Sequence, residues 1–436
     1  VAHWTDGLVR EVTGDVRAEL GTSVARVFER CYADTLGSTL TELPDGTVFM
    51  LTGDIPAMWL RDSTAQLAPY LHVAARHRGV ADLLAAVSRR QIDYIAVDPY
   101  ANAFNSAPNG HGHHADLTEM SPWVWERKYE IDSLCFPVQL AYDLWTATGR
   151  TDHLGEPFRS AARTIIGLWR TEQDHENRSR YRLQRLDGPA SDTLTREGRG
   201  PETALTGMTW AGFRPSDDAC TYGYNVPGNI FAIVALGYIA QLADEVLDDA
   251  VLAADARSLG DELEAGVARY GTVVHPEFGE IYAYEVDGLG NAVLLDDANM
   301  PSLLSLPYIG WCAPDDPIYS ATRSFVFSEH NPTFTVGTAA RGLSSPHTPP
   351  RHIWPIALAV EGLTTDDAAE KERLLQTLLA TDAGTSLMHE SFHADDPSTF
   401  TRAWFSWANA MFCELVLDIA GLRTVERQRA VRSTRP

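Results

Sequence analysis

The chain has 436 residues, 44% of them hydrophobic, enough to bury a large core without disulfides or metals as staples. Its formal net charge of −24 repels phosphate backbones and anionic lipid, so neither nucleic acid nor a membrane is an expected partner, whereas a neutral substrate suits it. Five scattered cysteines without metal-ligand spacing, no run of about 18 apolar residues and no visible leader pattern point to a reduced, cytoplasmic setting.

Leu8, Val12, Val16, Leu20, Val24, Val27, Phe28 and Cys31 recur at helical intervals and predict an amphipathic helix over 7–34. TVFMLTG (47–53) reads as a short strand, followed by the loop GDIPAMWLRDS. Asp62 and Ser63 stand at the N-cap position of a helix over 63–78 that Pro69 kinks or delays. A helix over 80–97 precedes a polar loop of about 25 residues, long enough to suggest a functional role. Helices follow over 133–148 and 156–172; 173–208 is polar, with a short strand at YRLQRL.

The segment 229–243, NIFAIVALGYIAQLA, is apolar nearly all round and should be buried on every side. The segment 251–270 is apolar on one stripe and should lie outside it. A β-hairpin is expected over 280–296 around DGLGN. Helices are expected over 317–329, 352–363, 366–381 and 402–420, and the Arg-rich tail 423–436 is expected to fray. About eleven helices, apolar ones followed by more polar ones without a linker, imply a single all-α domain over 1–436. Two shells would form an α/α barrel, with a few short β-hairpins in the loops at one mouth.

Two acidic stretches carry the chemistry. TWAGFRPSDDACTYGY places Asp217 beside Asp218, and SLMHESFHADDP places Glu390 between His389 and Ser391. Glycoside cleavage needs one carboxyl to protonate the leaving oxygen and another to activate water or attack. Asp217 or Asp218 is the candidate acid, because adjacent aspartates repel when charged and one is driven to keep its proton; Glu390 is the candidate base. Either aspartate would equally serve, with Ser216, as a helix cap.

Sugar sites also use aromatic platforms and bidentate polar groups. Trp59, Trp123, Trp125, Trp210 and Trp354 lie in or beside polar loops, where an indole can stack on a sugar and donate one hydrogen bond. Arg61 and Asp62 can grip vicinal hydroxyls. Glu126, Lys128, Glu130 and Asp132 crowd the WERKYEIDS stretch, and Arg214 and His389 flank the acidic motifs. His111–His114 (HGHH) has no Cys or carboxylate partner at a telling spacing, so no metal is expected, and without nucleotide motifs no cofactor either.

GDIPAMWLRDSTAQ, DPYANAFN, VWERKYEIDSLCFP, MTWAGFRPSDDACTYGY, YAYEVDGLGN, SPHTPPRHIWPIALA and LMHESFHADDP resemble, in order, the exo-α-1,6-mannosidases of glycoside hydrolase family 125. The resemblance runs from about residue 25 to 420. It implies an (α/α)6 barrel and metal-independent, inverting removal of terminal α-1,6-linked mannose from an oligosaccharide or glycan. It also implies an acid from the SDDAC block and Glu390 as base, with WLRDS and WERKYEID as walls of the terminal-sugar pocket. The nearest rivals are an α-glucosidase or trehalase on the same barrel, and a sugar-binding protein without turnover.

Overall fold

The structure, a computed structural model, describes residues 2–425. Fourteen helical segments dominate the described residues: α1 (Ala2–Ser38), α2 (Leu60–Ala65), α3 (Ala68–Ala74), α4 (Arg78–Val97), α5 (Asp132–Thr148), α6 (Glu156–Glu172), the single turns α7 (His175–Arg178) and α8 (Thr195–Gly198), α9 (Val226–Glu245), α10 (Ala250–Tyr270), α11 (Pro317–Val326), α12 (Pro355–Leu363), α13 (Ala368–Ala380) and α14 (Ser406–Ile419).

Burial separates them into two kinds. Every residue of α2 and α3 is buried, as are nearly all of α12, the first three turns of α14, and most of α5 and α9. Their partners bury one face only: α10 turns Leu252, Ala256, Leu259 and Leu263 inward, and α13 turns Leu374, Leu375 and Leu378. Buried and half-buried helices alternate along the chain, as a double layer requires. The helix α9 packs on α10 and α5; α5 packs on α2, α3 and α4; α14 packs on α1, α2, α3, α12 and α13. Between α10 and α11 no buried helix forms; residues 301–311 run as turns, with Leu303, Leu304, Leu306, Ile309 and Trp311 buried.

Length and composition alone would let α9 cross a membrane, but most of it is buried within the protein, as a core helix is. Each large side chain it buries, among them Ile230, Phe231, Leu236 and Ile239, removes apolar surface worth about 1.5–3 kcal/mol. Its start is set by Pro227 in the first turn and by the Asn225 side chain, which accepts from Gly228 N at 2.8 Å.

Several expectations change. The predicted helix over 63–78 is two helices, because the chain turns at Gln66–Leu67 and Pro69 begins the first turn of α3. Asp62 lies inside α2, whose N-cap is Trp59. The first helix is longer than 7–34 but breaks at Gly21, where φ is 83°. No strand forms at YRLQRL; Gln184 only bridges Leu117. The DGLGN hairpin is present as Glu285–Val286 against Ala292–Val293, but Gly279–Tyr282 pairs backward with Thr272–His275. The tail does not come free at Arg423: Arg423 packs against α14 and Thr424 hydrogen-bonds to His72. Residues 426–436 of the expected tail lie outside the described residues.

Candidate active site

Two small three-stranded sheets and a turn bring the site together. Met58–Trp59 pairs with Ala103–Phe104, which pairs with Val124–Glu126. The chain passes from that sheet directly into α2, so Trp59, Arg61 and Asp62 emerge from fixed backbone. In the SDDAC block Arg214 N donates to Asp218 O at 2.8 Å and Asp217 N to Arg214 O at 2.9 Å. This closes a tight turn with Asp217 at φ 69°, a left-handed conformation that aspartate tolerates better than most residues. Ser391–His393 runs between His352–Ile353 and Phe400–Thr401 and fixes Glu390 at its leading end.

Asp217 and Glu390, 173 positions apart in sequence, line one cavity that is open to solvent and spans about 360 Å³ of space, the open part included. Trp59, Arg61, Asp62, His347, Trp354, Arg402, Phe405 and Trp407 complete most of its wall. The buried indole N–H groups of Trp59 and Trp407, and the Ser216 hydroxyl, have no hydrogen-bond partner among the described residues. Buried polar groups of this kind cost free energy unless a ligand or solvent meets them. An aromatic, polar-edged hollow with unspent donors is suited to a sugar.

Charge is concentrated around one guanidinium. Arg61 Nη1 donates to Glu130 Oε2 at 2.6 Å and Asp132 Oδ2 at 3.0 Å, and Nη2 donates to Asp217 Oδ1 at 2.9 Å. Its Nε lies 3.6 Å from Asp62 Oδ2. Burial drives the Glu130 carboxyl well above its ordinary range despite Arg61. Burial also pushes Asp62 up, to about 6, against the pull of Arg61. Asp217 goes the other way: burial opposes its charge, but Arg61, a hydrogen bond from Glu130 and nearby Lys128 hold it well below the usual carboxylate value.

The second carboxyl group is set differently. Glu390 Oε1 lies 3.4 Å from Arg402 Nη1, and Arg402 is anchored by its Nε on Asp54 Oδ1 at 2.8 Å. His347 Nδ1 is 3.1 Å from Asp218 Oδ1. Burial disfavours its charged ring, but Asp218, Asp217 and Glu390 outweigh that and raise it to about 9.

The other residues singled out in the sequence fall outside the cavity wall. Asp218 lies behind Asp217 and holds His347. Glu130 and Asp132 lie beneath Arg61. Glu126 accepts from Asn102 and Arg185, and Lys128 donates to Asp192 at 2.7 Å. The Arg214 guanidinium donates to Glu285. Trp210 is fully buried and stacks on His175, centroids 3.6 Å apart, so its indole meets no cavity. His389 stacks on Phe400 at 3.7 Å. Sequence reasoning did not single out His347, Asn299, Arg402 or Phe405. The SPHTPPRHIWP block contained the first, and Arg402 follows Thr401, the cross-strand partner of Ser391. In the HGHH run His114 Nε2 meets Val124 O, and among the described residues no three His, Cys, Asp or Glu side chains are grouped to hold a metal ion.

A cavity with two separated carboxylates and aromatic walls defines a glycosidase-type site, and comparison with known proteins makes the assignment specific. The family described as metal-independent alpha-mannosidase (GH125) matches residues 21–417, and the chain belongs to that family. It is 52% identical to a Streptococcus pneumoniae protein, with a TM-score of 0.94 over 96% of this chain and 99% of the other. That protein was solved as a non-productive substrate complex with alpha-1,6-mannobiose, in a study of metal-independent alpha-mannosidases. A Schizosaccharomyces pombe relative, Meiotically up-regulated gene 157 protein, is 36% identical over 434 residues, covering 94% of this chain and 85% of its own. A bacterial glucoamylase bound to acarbose shares the fold at 12% identity, with a TM-score of 0.61 over 95% of this chain and 57% of its own.

Proposed function

We propose that this glycoside hydrolase is an inverting exo-α-1,6-mannosidase, with Asp217 as general acid and Glu390 as general base. The observation that carries the reading is that these two carboxyls, from distant loops, face one small cavity while Asp218 is occupied with His347. The complex of the S. pneumoniae relative supports the linkage. Terminal mannose enters with its ring against the tryptophan walls. Asp217 protonates the glycosidic oxygen as an oxocarbenium-like state develops at C1. Glu390 takes a proton from a water on the opposite ring face, and that water attacks C1. Arg402, anchored by Asp54, holds Glu390 in line. Inversion needs room for this water, about 6.5–9.5 Å between the carboxyls.

Proton NMR of α-1,6-mannobiose hydrolysis tests the reading. The first anomer released should be β-mannose, and Glu390→Gln should lower kcat by about 100-fold or more. Initial α-mannose would remove inversion. Turnover of α-glucosides or trehalose in place of mannobiose would move the protein to the rival glycosidase class, and binding without turnover would leave a sugar-binding protein.

A further inference from the structure

The assignment of Asp217 as general acid poses a chemical problem. A general acid must carry a proton, yet Asp217 is gripped by Arg61 Nη2 at 2.9 Å, a contact that favours its anion. Resting on that assignment, the geometry points to Glu130 as a positioning residue that shares one proton with Asp217 and supplies it to the acid when a glycoside occupies the cavity.

Three observations carry this. The Asp217 and Glu130 carboxyls are held by the two Nη atoms of one guanidinium, which sets them side by side. Two carboxyls so placed repel when both are ionised, and sharing one proton relieves that repulsion. Next, among the described residues Arg61 is the one cation that lies within 4 Å of all four carboxyls, Glu130, Asp132, Asp217 and Asp62, and it is itself only 3% exposed. With all four ionised, one guanidinium would face four anions out of water, with Lys128, His347 and Arg402 only at longer range, so the cluster favours keeping a proton. Finally, Glu130 is 1% exposed and does not line the cavity, whereas Asp217 does. Glu130 can therefore exchange its proton with Asp217 but not donate it to the sugar.

The surrounding groups fix which oxygens do what. Ser133 Oγ donates to Glu130 Oε2 at 2.8 Å and Asn102 Nδ2 to Oε1 at 3.2 Å. Arg61 and Asp62 face the pair from α2 and Asp132 from α5. Lys128 and His347 face Asp217 from the flanking loops, and Tyr181 and the Cys220 thiol lie farther off. In the free protein the Glu130 O–H donates to the Asp217 carboxylate. With substrate bound, the proton passes to Asp217, leaving Glu130 ionised on Arg61. The Asp217 O–H bond then breaks as the glycosidic oxygen gains the proton and the electron pair of its bond to C1. Water closes onto C1, losing its proton to Glu390. The proton on Glu390 returns to solvent, and the pair takes one up, so the cycle is hydrolysis with no other reactant.

The test compares leaving groups. Glu130→Gln keeps an acceptor for Arg61 and puts an N–H against Asp217, which locks that carboxyl as the anion. Relative to wild type, kcat/KM on α-1,6-mannobiose should fall about 100-fold or more, while 2,4-dinitrophenyl α-mannoside, whose leaving group needs no proton, should lose no more than about threefold. Glu130→Asp, which still carries a proton, should regain much of the mannobiose rate. If Glu130→Gln does not fold, Asp132→Asn serves. Removing a negative charge beside the pair makes it release its proton sooner, so the alkaline limb of kcat/KM on mannobiose should move down by about half a pH unit or more. Equal loss on both substrates, no loss, or an unmoved alkaline limb overturns the inference. A wild-type protein that cleaves neither mannoside overturns the proposed function itself, and the inference with it.

Discussion

His347 is the residue whose charge most clearly depends on its neighbours. Its raised value, about 9 against about 6.5 for a free imidazole, means that folding stabilises the imidazolium. A group whose folded value is raised contributes fully below its unfolded value and loses that contribution as pH climbs through the folded one. Wild type should therefore melt above His347→Gln by the widest margin near pH 6, and the margin should shrink by about 1 °C or more by pH 9.5. Thermal scans of both proteins across that range check it; a margin constant with pH would mean that Asp218 does not hold a charged ring. Residue roles of this kind were only partly legible in the sequence. The Asp217–Asp218 pair and Glu390 stood out because carboxyls in distant aromatic loops suggest one reaction, but spacing did not say which aspartate faces the cavity. The partner of His347 is 129 positions away, and no spacing rule joins them. Trp210 looked like a sugar platform because it neighbours the acidic block, but an indole in a polar loop has no preferred side. Here it packs on His175, and the cavity takes Trp407 from the start of α14 instead.

At the scale of elements, helices were legible and junctions were not. Long periodic segments such as α6 and α10 lie where apolar spacing put them, because the same stripe that marks a helix is the surface it buries. The segments that build the cavity are two- and three-residue strands and tight turns, whose pairing depends on residues far off in sequence. Gly53 shows how tightly these junctions fit. It bridges Phe405, at φ 153°, and a β-carbon there would stand 2.5 Å from Trp404 O. That backbone leads from Arg402 to Phe405, two residues of the cavity wall. Gly53→Ala should cost about 1–3 kcal/mol in urea unfolding, since neither backbone can yield freely. It should also raise KM for mannobiose and lower kcat, because the displaced segment carries wall residues as well as the arginine that holds Glu390. A stable variant with unchanged KM would show that the segment moves without cost.

Across the whole molecule, the segment just after α14 ties the end of the helical array to its beginning. Glu414 on α14 is buried and meets His72 Nε2 of α3 at 2.8 Å and the Tyr308 hydroxyl at 3.2 Å. Arg423 brings a cation to the same carboxylate, its Nε at 3.7 Å, while its Nη1 donates to Asp418 at 3.1 Å. The next two residues close the link: Thr424 N and Val425 N both donate to His72 Nδ1, and Thr424 Oγ1 donates to His72 O at 2.9 Å. With Nδ1 accepting, Nε2 carries the ring hydrogen toward Glu414. Arginines near a C-terminus usually extend into water, which is why composition alone suggested fraying from 423. Here the buried Glu414 carboxylate repays ordering the chain. Arg423→Ala should lower stability by about 1–3 kcal/mol, because a buried carboxylate loses a cation while its desolvation remains. Thr424→Val should cost less, about 1 kcal/mol, since it removes one hydroxyl and keeps both backbone donors. Denaturant melts followed by tryptophan fluorescence report on α14 and the cavity together through Trp407. A midpoint for Arg423→Ala equal to wild type would mean that the clasp does not hold α3 and α14 together.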